Sequence, residues 1–112
     1  MKVALCFWGL TRSLKHTIQS IHENILKPLQ ENEIEYTIFL HTYKFESPYI
    51  NPRAKEVNVE LDFDEYLLLK PDFVQIDDQD EIKKEINIEQ YHSLPDPWHS
   101  NYICLDNFVC EM

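Results

Sequence analysis

Glycine is almost absent from this chain. The 112 residues hold one, Gly9, where average usage near ~7% would give roughly eight. Cysteine is scarce and odd in number: Cys6, Cys104 and Cys110 do not suggest a disulfide framework, which agrees with a reducing compartment. There is no Asn-x-Ser/Thr sequon. Nor is there an apolar run long enough to cross a bilayer, and the N-terminal run Val3 to Trp8 is too short, and lacks the small-residue cleavage site, for a signal peptide. The expected setting is cytoplasmic.

Positive charge is the other shortage. Twenty acidic residues face ten basic ones, for a net charge of −10. Residues 1–56 carry seven Lys/Arg and six Asp/Glu, whereas residues 57–112 carry three Lys and fourteen Asp/Glu. The chain has no basic stripe, and this balance excludes nucleic acid as an expected partner. Both arginines, Arg12 and Arg53, fall in the neutral half, so an anionic ligand is expected there.

What is present is enough to fold. Apolar residues make up 44% and aromatics 12%, which excludes a wholly disordered chain. The length predicts a single domain or domain fragment, 1–112, with a modest core.

Val3-Ala4-Leu5-Cys6-Phe7-Trp8 is continuously apolar and reads as a strand buried on both faces, as parallel sheets require. Gly9 follows directly, then Leu10-Thr11-Arg12-Ser13. Apolar residues then recur at Leu14, Ile18, Ile21, Ile25 and Leu29, one helical stripe. Thr11 or Ser13 is the expected N-cap, and Pro28 predicts a stop near Lys27. Tyr36 to Thr42 reads as a second strand, Tyr43 to Arg53 as a loop around Pro48 and Pro52, and Val57 to Glu60 as a short extended piece. A short helix over Phe63–Leu69, a third strand over Asp72–Asp77, one or two helical turns over Asp80–Ile86 and a helix over Asn101–Met112 complete the reading. The order β-α-β-α-β-α predicts a small open, mainly parallel Rossmann-like sheet. Three strands leave two open edges, so the expectation is either a fragment of something longer or a homo-oligomer that covers its edges.

The strand–Gly9–helix junction is the leading candidate site. In open α/β sheets ligands sit at the carboxyl ends of the strands. A helix N-terminus offers N–H groups to phosphate, Gly9 permits a positive φ or close approach, and Arg12 supplies a two-pronged donor matched to a diphosphate. Thr11 and Ser13 add hydroxyls. The plainer reading is a tight turn with Ser13 capping the helix and Arg12 solvated. The segment lacks both G-x-G-x-x-G and the P-loop pattern.

The run Val3 to Leu14, ending Trp8-Gly9-Leu10-Thr11-Arg12-Ser13-Leu14, resembles the opening of a family of glycosyltransferase-like proteins of bacteria and large DNA viruses. These begin with an apolar strand and then Gly-x-x-Arg-Ser or Gly-x-x-Arg-x. The similarity continues through Ser20 to Leu29, through Phe39-Leu40-His41-Thr42-Tyr43, which looks like the family's Phe-x-His-Thr plus aromatic, and through Lys70 to Gln79 and Leu105 to Phe108. It implies the N-terminal half of a GT-A-like nucleotide-diphospho-sugar transferase fold, with a nucleotide sugar as partner. Gly9 and Arg12 would lie in the donor cleft, and His41 and Thr42 would end the second strand facing it. The family's later Arg-Pro-Asp-like segment, its candidate for metal and diphosphate binding, has no counterpart here. The expectation is therefore a donor-binding part of such a protein rather than a self-sufficient enzyme. The alternative is a truncated, non-catalytic relative that acts by self-association or partner docking.

Asp78-Gln79-Asp80 spells D-x-D, with which many such transferases hold Mn²⁺ or Mg²⁺ against a diphosphate, since hard cations take one or two carboxylates plus phosphate oxygens. The spacing is common by chance in so acidic a segment, and the preferred reading is a solvated strand end with acidic residues at a helix N-terminus. His41 is a candidate general base or ligand contact, and a histidine that hydrogen-bonds a neighbouring loop explains it as well; Arg53 is a second guanidinium on a loop of the kind that carries binding residues, with a solvated arginine the preferred reading. The spacings of His92, His99, Cys104 and Cys110 do not match a zinc site.

Overall fold

A computed structural model describes residues 1–111. The chain divides into two compact units. Among the described residues, the first comprises 1–42 and 62–76, and the second comprises 43–61 and those from Asp77 onward.

The first unit holds a three-stranded parallel sheet in the order β1-β2-β5. β1 is Lys2–Trp8, β2 is Glu35–Lys44 and β5 is Phe73–Asp78, the last two running on into the second unit. β1 and β2 are in register from Lys2↔Glu35 to Trp8↔His41. Asp72 sets the start of β5 against β2: its N–H donates to the Ile38 carbonyl at 2.9 Å, and its Oδ2 accepts the Ile38 N–H at 2.8 Å.

β1 departs from expectation. Its residues alternate between exposed and half-buried, so it is covered on one face, not two. Period-2 alternation sends Phe7 and Leu40 to the covered face. There they pack with Leu14, Ile18, Ile21, Tyr66 and Leu69, the core of the unit.

The helix after β1 begins at Leu14 as α1 (Leu14–Ile21), passes through a π-turn over His22–Leu26, and continues as α2 (Lys27–Glu31). It does not stop at Lys27. The Lys27 N–H reaches back five residues to the His22 carbonyl. That wide turn falls just before Pro28, which has no N–H to give and whose ring would press on the carbonyl four residues back. The extra residue also rotates the buried stripe. Leu26 is 3% exposed, whereas Ile25, the expected core position, is 38% exposed.

Between β2 and β5 there is no α-helix, so the expected β-α-β-α alternation breaks here. Residues 65–69 form a 3₁₀ helix, Glu65–Leu69, instead of an α-helix. The stretch Tyr43 to Arg53, expected as loop, contains β3 (Tyr49–Asn51) between its two prolines. β3 pairs antiparallel with β4 (Glu56–Val59) across a 3₁₀ turn, Pro52–Ala54.

That hairpin belongs to the second unit, with α3 (Gln79–Glu85), a 3₁₀ helix over Ile88–Ser93 and α4 (Ile103–Glu111). Tyr43, Tyr49, Ile88 and Cys110 are buried in it, and the Tyr43 hydroxyl donates to the Cys110 carbonyl. Met112, the last residue of the predicted final helix, lies outside the described residues. No described helix is long and apolar enough to cross a membrane.

Candidate functional site

Gly9 occupies the turn at the carboxyl end of β1 with φ 99°, a conformation that any residue with a Cβ adopts at a cost. Its N–H donates to the His41 carbonyl at 3.1 Å, extending the β1–β2 pairing by one rung before the chain turns away. The Thr11 carbonyl then accepts the Leu14 N–H at 3.3 Å and the Ser13 carbonyl accepts the His16 N–H at 3.0 Å, so the turn winds directly into α1.

Ser13 stands at the N-cap but makes no side-chain cap bond. The acceptor comes from the 3₁₀ helix: Glu65 Oε1 accepts the Lys15 N–H at 2.5 Å. Glu65 is 6% exposed. A buried carboxylate at a helix N-terminus is stabilised by the N–H groups and the positive dipole end. Sequence reasoning missed Glu65, because its partner is 50 residues away and no local spacing announces it.

Gly9, Thr11, Ser13 and Thr17 line a cavity of about 140 Å³, closed on its apolar side by Phe7, Leu14, Leu40 and Leu69. Arg12 is exposed in the same turn and is not part of that wall. His41 and Thr42 are not brought together. β2 runs on to Lys44, so neither residue ends the strand, and neighbouring residues point to opposite faces. Thr42 is 3% exposed on the side of Leu40. His41 lies on the other face, beside Trp8, its register partner.

That other face carries an open groove of about 490 Å³ among Cys6, Trp8, Phe39, His41, Phe73 and Gln75. The Phe39 and Phe73 rings stack at 5.1 Å. Expecting β1 to be buried on both faces hid this groove.

Asp78 and Asp80 belong to the second unit. Asp78 is the N-cap of α3, and its Oδ1 accepts the Asp80 N–H at 3.0 Å and the Glu81 N–H at 3.3 Å. Asp80 borders a 710 Å³ recess with Lys83 and Lys84. Asp78 thus has a structural task, and no cluster of three or more His, Cys, Asp or Glu side chains that could hold a metal occurs among the described residues. Nor does the zinc quartet form: His92 Nε2 pairs with Asp106 Oδ1 at 2.7 Å and its ring stacks on Tyr102 at 4.3 Å, while Cys110 is buried. Arg53 is exposed in the 3₁₀ turn after β3.

One more carboxylate was not legible in the sequence. Asp96 Oδ2 accepts the N–H groups of Ser100 (2.6 Å) and Tyr102 (3.1 Å) and the Ser100 hydroxyl (3.2 Å), while Oδ1 accepts the Trp98 N–H at 3.1 Å. The Tyr102 N–H, with further bonds from Ser100 and Trp98, holds its carboxyl below the ordinary aspartate value, against a smaller opposing effect of burial.

Comparison with known proteins returns no match: no family model, no curated protein and no solved structure is similar to this chain. The fold and the site define a mixed α/β chain with a parallel three-stranded sheet and a glycine turn at its carboxyl edge.

Proposed function

We propose that the first unit is the donor-binding part of a glycosyltransferase-like protein and holds the diphosphate of a nucleotide sugar at the Gly9–Ser13 turn. The observation that carries this reading is the positive φ of the chain's single glycine, at the carboxyl end of β1 in the turn that leads into α1. Ligands of open α/β sheets sit at that edge. The one-directional order β1-β2-β5 supports a Rossmann-like half-sheet, and the Gly-x-x-Arg-Ser resemblance supports the donor class.

In this reading Arg12 pairs with the diphosphate in two-pronged fashion, and the Thr11 and Ser13 hydroxyls add hydrogen bonds. The Lys15 N–H is not available, since Glu65 accepts it. In such a transferase an acceptor hydroxyl attacks the sugar's anomeric carbon and gives up its proton, which ends on the departing diphosphate or on water. The bond to the diphosphate oxygen breaks, and Arg12 stabilises the charge on the departing nucleoside diphosphate. No step runs through a metal. Mn²⁺ or Mg²⁺ at Asp78 and Asp80 remains an arm of the test.

The test is thermal unfolding against UDP-, GDP- and dTDP-sugars, with and without Mn²⁺, and with a CMP-sugar, which carries a single phosphate, as the control. A ligand at 100 times its dissociation constant adds about 2.7 kcal/mol. One donor class should raise the melting temperature, and Arg12→Ala or Gly9→Val should abolish the rise. No rise with any donor, or an unchanged rise in both variants, rejects the reading.

A second reading, self-association or partner docking without catalysis, is favoured by the exposed aromatic face of the sheet. Light scattering decides it: a stable oligomer indifferent to nucleotides is its expected signature, and a clean monomer removes self-association.

A further inference from the structure

We infer that β1 is a self-pairing edge, at which two copies of the chain join their β1 strands antiparallel about a two-fold axis at Leu5 and make one sheet of two. This rests on the self-association reading above and moves the contact from the face of the sheet to its edge. It is independent of what the Gly9 turn binds.

β1 is an outer strand in the order β1-β2-β5. An outer strand offers N–H and C=O groups to any other strand, and natural edges are blunted by charge, proline, a bulge or short length. β1 has none of these devices inside it. Val3 to Phe7 holds no charge and no proline, and the ladder with β2 runs from Lys2 to Trp8 without a register shift. β5 is the contrasting edge: Pro71 and Asp72 lead into it, and it ends in Asp77 and Asp78.

The register follows from the ladder. In a parallel pair a residue turns its N–H and C=O to one side and its neighbour turns them to the other. Gly9 donates inward, to the His41 carbonyl, so by alternation Lys2, Ala4, Cys6 and Trp8 turn their backbone groups outward. Hydrogen-bonded antiparallel pairs form between such outward residues, and centring on Leu5 uses all of them, in about eight main-chain bonds. Ala4 then pairs with the partner's Cys6, and Lys2 with the partner's Trp8. Registers centred on Ala4 or Cys6 leave outward groups without a mate.

The side chains and the charge fit a second copy. Lys2, Ala4, Cys6 and Trp8 are on the exposed face of β1, so at both ends an ammonium meets a tryptophan ring that is 70% exposed. Lys2 is held by an exposed pair with Glu35 at 3.3 Å, a contact weak enough to yield. On the other face Val3 meets the partner's Phe7, and Leu5 meets its own copy. None of the chain's twenty acidic residues lies in β1, so two acidic chains can approach here without setting carboxylate against carboxylate. The pairing consumes the same edge of both copies, which closes the assembly at a dimer.

The test is light scattering of the whole chain over a range of concentrations, joined to cross-linking. Wild type should form a concentration-dependent dimer. Cys6→Lys, at an exposed position, sets a new cation diagonally beside the partner's Lys2 and should weaken dimerisation at least about five-fold, with an unchanged circular-dichroism spectrum. Ala4→Cys places a thiol opposite the partner's Cys6 at a Cα separation of about 5.5 Å, within the reach of a disulfide. Oxidised glutathione should turn it into a covalent dimer faster than it does Ala4→Cys/Cys6→Ser, which keeps the other thiols. A dimer that Cys6→Lys leaves intact, or cross-linking no faster than in the double variant, overturns the β1 pairing while self-association stands. A monomer at every concentration overturns the pairing and the self-association reading together.

Discussion

Glu65 and Lys15 are 50 residues apart, and the Glu65 carboxylate accepts the Lys15 N–H in the first turn of α1 at 2.5 Å. The helix N-terminus that faces the glycine turn is therefore already served by an anion of the protein's own. This changes how the turn can treat a phosphate. Attraction there has to come from the side chains of Thr11, Arg12 and Ser13, and less from the helix itself. It also ties the 3₁₀ helix over Glu65–Leu69 to α1, fixing the element that contributes Leu69 to the core.

Replacing Glu65 separates the hydrogen bond from the charge. Glu65→Gln keeps an oxygen for the Lys15 N–H and loses the charge–dipole attraction, at an expected cost of about 1 kcal/mol. Glu65→Ala also strands a part-buried N–H, and should cost about 2–3 kcal/mol. Denaturant unfolding checks the order. Equal stabilities for the two variants would show that the hydrogen bond contributes nothing.

Asp78 is expected to behave as a cap. Asp78→Ala removes the acceptor of the Asp80 and Glu81 N–H groups and should destabilise by about 1 kcal/mol. Thermal unfolding with and without Mn²⁺ should show the same loss. A wild-type melting temperature that Mn²⁺ raises, and a variant in which it does not, would return Asp78 to the metal reading.

The π-turn makes a prediction that the helical stripe alone would reverse. Leu26→Ala opens a cavity at a buried position and should cost about 2–5 kcal/mol. Ile25→Ala, at a position more than a third exposed, should cost well under that. Circular-dichroism melts of the two variants decide, and equal losses would place both residues on the buried face.

What was legible follows from the range of each signal. The β1–turn–α1 unit could be read because a unique glycine separates a continuous apolar run from a 3.6-period stripe. The stripe failed at Ile25 because one added residue in the π-turn rotates every later position. β3 was hidden because Pro48 and Pro52 bracket three residues that become a strand by pairing with β4. The open face of the sheet was unreadable because Cys6, Phe39 and Phe73 have the composition of buried positions. Glu65 had no local signature, since its role exists once the chain has folded.

The scarcity of glycine leaves other residues in left-handed turns. Lys70 ends the 3₁₀ helix at φ 47° and ψ 55°, a conformation costing roughly 1–2 kcal/mol for a residue with a Cβ. Lys70→Gly removes that cost and gives back part of it as unfolded-state entropy, about 0.5–1 kcal/mol. A net gain near 0.5–1 kcal/mol over wild type is expected in denaturant unfolding, with Lys70→Ala close to neutral. A destabilised glycine variant would show that the Lys70 side chain itself holds the turn.

Asp96 gives the second unit an acid-sensitive loop. Its carboxyl is held below the ordinary value, first by the Tyr102 N–H and then by bonds from Ser100 and Trp98. Because the folded-state value is the lower one, the contribution to stability is complete above the ordinary aspartate range, near pH 4. It is lost as the pH falls through the depressed value. Asp96→Asn keeps one oxygen for donors that now use two, so it should be less stable than wild type at neutral pH. That deficit should shrink on acidification. Trp98 fluorescence in a Trp8→Phe background, followed through unfolding from about pH 6 to pH 2, measures the difference. A deficit that stays constant across the range would mean that the loop is held by its shape, and that the charge on Asp96 does not contribute.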